Sequence, residues 1–367
     1  MTDSRFLTLA IEEARLGLGH TSPNPAVGAL VVQGGEVLGR GYHTWASGKH
    51  AEIVALEQAG VRAKGATLYT TLEPCNHQGR TGPCTEAIIA AGIQRVVAAM
   101  QDPNPLVSGK GLARLREAGL EVAVDESSRT EAERLNEAFI HYMTVGRPLV
   151  TIKAALTLDG KIAAPVDNTG WLTSESARAH VQELRHQADA ILTGIGTLLS
   201  DDCLLTDRTA RKRSRPLLRI VLDSQLRIPL TSRMVESCAD DVMVVTTSLA
   251  SPDRRKMLED RGVRVLEADA PGGRTDIAQV VRALAKERYL SLMIEGGSKV
   301  NWASLETGVA DKIYFYYAPK ILGGLQSLPV AGGTGRSRRS DAIQFRDVTL
   351  HAITREEFAV EAWLVKP

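Results

Sequence analysis

"HAEIVAL", residues 50–56, sets Ile53, Val54 and Leu56 where they can form one apolar face, the pattern of an amphipathic helix. Apolar packing does not explain why His50 and Glu52 stand two apart at its start. An explanation lies downstream in "EPCNHQGRTGPCTEA", residues 73–87, a stretch dense in Gly, Pro and polar residues that reads as a loop able to bring Cys75 and Cys84 together. A catalytic zinc takes three protein ligands and keeps one position for water, and His50, Cys75 and Cys84 supply one imidazole and two thiolates. Glu52, on the same helix start, is then free to move a proton between that water and a leaving group. A helix beginning after Cys84 would place the thiolates near a positive dipole end and help keep them deprotonated.

Zinc nucleobase deaminases carry H-x-E followed by P-C-x-x-C, with the glutamate outside the ligand set. "HAE" and "PC" match, but eight residues separate Cys75 from Cys84 instead of two, which leaves a loop able to reach over a substrate. The alternative is a closed structural zinc. That needs a fourth ligand, and no third cysteine lies nearby; His77 could serve, or be a plain loop histidine. Cys203 and Cys238 have no ligand-like company and read as small hydrophobes.

Working outward, the chain alternates. A helix near 3–18 precedes strands "AVGALVV" and "EVLGRGY", the helix from His50, strand "ATLYTTL", the helix after Cys84 and strand "RVVAAM". A helix at 110–118, strand "LEVAV" and one helix over 129–144 follow, and Gly146 with Pro148 ends the pattern. The boundary is expected there, giving domains 1–146 and 147–367. The second half opens on one strand, "LVTIKAALTLDGKIA", and then alternates helices (174–187, 252–261, 275–287, 298–307) with strands as far as "KIYFYYAP". Both halves are α/β.

With 367 residues and 44% hydrophobic content the chain can bury two cores. Its 44 basic and 43 acidic residues nearly cancel, and only 4% of residues are aromatic, so neither charge nor stacking favours nucleic acid. The basic run "RTARKRSR" at 208–215 reads as a solvated loop. No apolar run approaches a membrane span and no secretory signal is evident, so a cytoplasmic protein is expected.

The stretches "TSPNPAVGALVV", "HAEIVAL", "TLEPCNHQGRTGPC" and "DPNPLVSGKG", then "KAALTLDGKIA", "WLTSESAR", "ILTGIGTLLSDD" and "IEGGSKVNWASL", resemble in order and spacing the bifunctional deaminase-reductase of bacterial riboflavin biosynthesis. The resemblance covers nearly the whole chain. It implies a cytidine-deaminase-like N-terminal domain and a dihydrofolate-reductase-like C-terminal domain, with zinc and NADPH as cofactors and phosphoribosylaminopyrimidines as substrates. It also implies zinc on His50, Cys75 and Cys84, Glu52 as proton shuttle, and contacts to the first substrate from Asn24, His43, His77, Arg80, Asp102 and Asn104. For the dinucleotide it implies Ala155, Trp171, Thr197, Asp201, Ser224, Gly296 and Gly297. For the second substrate it implies Lys153, Thr169, Arg185, Leu205, Arg208 and Glu295. A homo-oligomer is expected.

Read without the resemblance, Asn24, Asp102 and Asn104 are also good turn-capping residues, and Arg185 and Arg208 are also ordinary surface charges. "TGIGTLLS" at 193–200 lacks the third glycine of a dinucleotide fingerprint and reads as a helix start. "MIEGGSKV" reads as a strand-to-helix turn whose glycines would let a phosphate approach the backbone. The chain departs from the family's common residues at Gly82 (often Pro), Thr169 (Ser) and Cys203 (Pro). Two rival classes are an RNA-editing deaminase and a single-activity deaminase with a noncatalytic C-terminal module.

Overall fold

The computed structural model describes residues 3–78, 82–105 and 107–366. Two compact units result: residues 3–146 joined by Lys212–Arg215, and residues 147–211 with 216–366. The expected boundary left Lys212–Arg215 in the second half; the structure groups it with the first unit.

The first unit is built on a five-stranded sheet of order β2-β1-β3-β4-β5, from β1 (Gly28–Gln33), β2 (Glu36–Tyr42), β3 (Thr67–Thr70), β4 (Arg95–Ala98) and β5 (Glu121–Val124). A two-residue turn makes β1 and β2 antiparallel, whereas β3, β4 and β5 run parallel because helices connect them. The helices are α1 (Asp3–Arg15), α2 (Ala51–Ala59), α3 (Cys84–Ala90), α4 (Lys110–Glu117), α5 (Glu126–Leu135) and α6 (Glu137–Val145). Their apolar faces close over Leu30, Leu68 and Val96, all fully buried. Glycine sets how closely α2 lies on the sheet: a Cβ at Gly41 would fall 2.3 Å from the Ala51 carbonyl oxygen. That close seating fixes the helix start carrying His50 and Glu52.

The single helix expected over 129–144 is two, α5 and α6. They part at Asn136, whose side-chain amide exchanges both hydrogen bonds with the backbone of Ala26, at 2.8 and 2.9 Å. A polar residue that serves a distant loop competes with the helix it sits in.

The second unit holds a nine-stranded sheet of order β11-β10-β9-β8-β14-β6-β15-β18-β17. Its first element was expected as one strand. It is β6 (Leu149–Thr157) and β7 (Lys161–Ala163), parted at Gly160, whose φ of 74° is left-handed, with Thr157 Oγ1 accepting the Lys161 N–H. There follow α7 (Glu175–Gln187), β8 (Ala190–Gly194), α8 (Ile195–Asp201), β9 (Leu218–Leu222), α9 (Arg233–Glu236), β10 (Val242–Thr246), α10 (Pro252–Glu259) and β11 (Arg264–Glu267). After the short pair β12 (Asp269–Ala270) and β13 (Arg274–Thr275) come α11 (Ile277–Lys286), β14 (Ser291–Ile294), α12 (Ser298–Glu306), β15 (Lys312–Ala318) and β16 (Leu328–Pro329), which pairs with β7. β17 (Phe345–Ala352) and β18 (Phe358–Leu364), not foreseen in the sequence, add an antiparallel edge to an otherwise parallel sheet. Both faces of the parallel part are packed, with Ile152, Ile220 and Val280 in one cluster and Ile191, Val221 and Val244 in the other.

The chain leaves β8 toward β9 on one side and leaves β14 toward β15 on the other. The C-terminal ends of β8 and β14 are therefore a topological switch point, the place where open α/β sheets bind ligands.

Candidate active sites

In the first unit, His50 is the N-cap of α2 and Cys84 is the first residue of α3. The His50 Nδ1 atom lies 3.1 Å from Cys84 Sγ and 3.4 Å from Cys75 Sγ. All three donor atoms fall within 4.8 Å of one another. Two atoms sharing a tetrahedral zinc, nitrogen at about 2.1 Å and sulfur at about 2.3 Å, stand about 3.5 Å apart. This donor set therefore fits zinc and leaves one position open. The backbone N–H of Cys84 points at Cys75 Sγ from 3.4 Å, so the start of α3 serves both sulfurs.

Electrostatics divide these groups. The Cys84 thiol beside it lowers Cys75, with burial opposing and His50 assisting; the same contact pushes Cys84 up. Its hydrogen bond with Cys75 raises His50. Burial pushes the Glu52 carboxyl up to about 7, against the pull of His50. A carboxyl poised near neutrality beside the donor cluster can both take and give a proton.

Around this cluster the structure gathers most of the expected substrate residues. His43 is buried, edge-on to His50 with ring centroids 5.4 Å apart. Its Nδ1 donates to the Lys49 carbonyl at 2.7 Å, so Nε2 accepts from Asn24 Nδ2 at 3.1 Å. Both ring nitrogens of His43 are thus committed within the protein, and its clearest contact is support of His50. Asp102 accepts the Asn104 N–H at 2.8 Å, and burial raises its carboxyl above the usual range. His77 is exposed and close enough to Asp102 to pull that carboxyl back down. Arg80 lies outside the described residues. Glu73 and Asn76 were missed in the sequence: Asn76 Oδ1 accepts from Thr85 Oγ1 at 2.9 Å and braces the loop between the cysteines.

In the second unit, Lys153 on β6, Arg185 on α7 and Glu295 at the end of β14 form a buried ion triad. Arg185 grips Glu295 through two nitrogens at 2.7 and 2.9 Å, and Lys153 Nζ adds a third contact at 2.7 Å. The surface-charge alternative for Arg185 is thereby excluded, because its side chain is only 11% exposed. Arg185 also donates to the Thr206 carbonyl beside Leu205, whose φ of 52° gives the 202–210 segment a tight left-handed bend. His186 and Asp207, unforeseen in the sequence, pin that segment at 2.7 Å.

Burial works to neutralise Glu295, but Lys153 and Arg185 hold its carboxyl at about 2. The folded value lies below the ordinary one, so the stabilisation is present above about pH 4.5 and lost as pH falls toward 2. Glu295→Gln should therefore depress the calorimetric transition of this unit most near pH 7 and much less near pH 3. An equal depression at both would contradict the assignment.

The expected dinucleotide residues lie on several elements of this unit. Gly194 and Gly297 are the N-caps of α8 and α12, and neither helix start has a side-chain cap. A Cβ on Gly297 would lie 3.4 Å from Thr197 Oγ1, so the two helix starts are neighbours. Their uncapped backbone N–H groups fit an anionic dinucleotide phosphate. Gly296 also has a packing reason: a Cβ there would lie 2.7 Å from the Val300 side chain, so helix packing favours glycine at this position. Ala155 is half-buried on β6, Ser224 follows β9 and receives Thr247 Oγ1 at 2.9 Å, and Asp201 ends α8 exposed. Trp171 is exposed under the Arg178 guanidinium, Thr169 bonds only to Asp167 among the hydrogen bonds found for it, and Arg208 is exposed. These three are not drawn into the triad.

Residues 148–356 match the family described as RibD C-terminal domain, and residues 1–100 match the cytidine and deoxycytidylate deaminase zinc-binding region. The riboflavin biosynthesis protein RibD of Actinobacillus pleuropneumoniae is 41% identical over 94% of this chain and 91% of its own, and that of Escherichia coli strain K12 is 40% identical over 96% and 100%. The chain belongs to the RibD family. Among solved structures, Acinetobacter baumannii RibD superposes with a TM-score of 0.86 at 34% identity, covering 99% of each chain. A diaminohydroxyphosphoribosylaminopyrimidine deaminase/5-amino-6-(5-phosphoribosylamino)uracil reductase of Thermotoga maritima gives 0.84 at 36% identity, again covering 99% of each. As a RibD family member the protein is a bifunctional enzyme of riboflavin biosynthesis, with a zinc-dependent cytidine-deaminase-like domain and an NADPH-dependent reductase domain.

Proposed function

We propose that the chain, by domains 1–146 and 147–367, hydrolyses the ring amino group of 2,5-diamino-6-(5-phosphoribosylamino)pyrimidin-4-one and then reduces the ribosyl group of the resulting 5-amino-6-(5-phosphoribosylamino)uracil to ribityl. The observation that carries the first step is the His50, Cys75 and Cys84 cluster with the buried Glu52 carboxyl beside it. His50, Cys75 and Cys84 hold zinc, which when bound supplies the Lewis acidity that makes water nucleophilic at neutral pH. Glu52 takes a proton from the attacking water and returns it to the amino nitrogen, which leaves as ammonia while the ring carbon gains a carbonyl oxygen. Asn24, His77, Arg80, Asp102 and Asn104 orient the pyrimidine and its ribose phosphate, while His43 holds Asn24 and packs against His50.

For the second step, Ala155, Trp171, Thr197, Asp201, Ser224, Gly296 and Gly297 hold NADPH, which supplies the hydride. Lys153 carries three N–H donors and gives one to Glu295, leaving others for a sugar oxygen. Arg185, fixed by Glu295, and Arg208 offer charge to the ribose phosphate, and Thr169 and Leu205 shape the approach.

A homo-oligomer is part of this reading. It is supported by β17, an edge strand exposing Val348 and Leu350, which leaves an unpaired, partly apolar sheet edge. Among the described residues no helix is long and apolar enough to cross a membrane; a cytoplasmic location with small-molecule substrates alone completes the proposal. An NADPH oxidation assay tests the second step. Oxidation should follow addition of the phosphoribosylaminouracil, and the diamino precursor should be the poorer substrate when Glu52→Gln blocks its conversion. No oxidation with the uracil would leave the second unit a noncatalytic module.

A further inference from the structure

Glu73 lies two residues before Cys75 and is buried. Its carboxylate accepts four backbone N–H groups. Oε2 takes those of Asp102 at 3.1 Å and Gly109 at 2.9 Å; Oε1 takes those of Gly111 at 2.8 Å and Leu112 at 3.3 Å. Gly109 is the N-cap of α4 and provides no side-chain cap, so a carboxylate from a distant part of the chain fills the helix start. The packing there is tight, since a Cβ at Gly111 would fall 1.9 Å from the Pro74 carbonyl oxygen. The same carboxylate reaches the turn in which Asp102 accepts the Asn104 N–H. One side chain therefore joins the segment leading to a sulfur ligand, the start of α4 and the 102–104 turn.

We propose that Glu73 is a positioning residue for deamination, fixing the 102–104 turn against the Cys75 loop so that Asp102 and Asn104 meet the pyrimidine in register with the metal cluster. The proposal rests on the reading of Asp102 and Asn104 as substrate contacts. Glu73 touches neither substrate nor metal. It acts through backbone hydrogen bonds that a carboxylate accepts on both oxygens, and a side-chain amide would turn an NH₂ donor toward N–H donors.

Glu73→Gln in the full-length zinc enzyme tests this. Deaminase kcat/KM should fall about 10- to 100-fold, mainly through KM, as misplaced contacts lose binding. Zinc content and the NADPH oxidation rate should stay unchanged, the latter reporting that the chain is folded. Glu73→Asp, which keeps the charge but withdraws it by one methylene, should fall between. In a double-mutant cycle, adding Glu73→Gln to Asp102→Ala should cost little beyond Asp102→Ala alone. Full additivity, or loss of zinc or reductase activity with Glu73→Gln, would overturn the proposal. If Asp102→Ala deaminates normally, the reading of the substrate contacts fails and this proposal with it; if Asp102→Ala is impaired while Glu73→Gln is silent, only this proposal fails.

Discussion

Glu52→Gln is expected to lower deaminase kcat by ~10² to 10⁴-fold, the range general acid-base groups contribute, while zinc stays at about one per chain. The substitution keeps the shape of a buried side chain and removes only its ability to carry a proton. The carboxyl's raised value comes first from burial, so the amide, which needs no charge in that setting, should not weaken the fold. NADPH oxidation with the uracil substrate should be unaltered. Near-normal deamination by this variant would remove Glu52 from the mechanism.

Cys75→Ser should do more, abolishing deamination and zinc together. A serine hydroxyl does not ionise at neutral pH and does not replace a thiolate on zinc. The structure adds that Cys75 Sγ also receives the Cys84 N–H and faces His50, so both of those residues lose a partner. Metal analysis alongside an ammonia-release assay checks it: zinc retained stoichiometrically in a folded Cys75→Ser protein would overturn the ligand set.

The metal cluster was legible because its chemistry is local: "HAE" at a helix start and "PC" at a loop need little of the rest of the fold to be recognised. The central parallel strands were legible because strands buried on both faces read as apolar runs, whereas the two-residue strands β12 and β13 offered no such run. What failed depended on distant partners or on interrupted periodicity. Asn136 breaks a helix for the sake of Ala26, 110 positions away. The Asp159-Gly160 dipeptide in "TLDG" was an available turn signal that the apolar pattern around it outweighed. β17 was hidden because its pairing with β18 shifts register between Arg346 and Thr349, where Asp347 takes a φ of 53°. Arg185 and Glu295 were named without their partnership, since nothing in a sequence tells a buried ion pair from two ligand contacts. Glu73 stood in plain view beside Cys75, but its four donors lie 29 to 39 positions further along.

The claim that one chain deaminates and then reduces is tested most directly by following both products in one reaction. Purified protein given 2,5-diamino-6-(5-phosphoribosylamino)pyrimidin-4-one without NADPH should release ammonia and accumulate the phosphoribosylaminouracil. Adding NADPH should convert that uracil to its ribityl derivative, with one NADPH oxidised per ammonia released. Ammonia release with no NADPH oxidation, or NADPH oxidation that precedes and does not depend on deamination, would contradict the account.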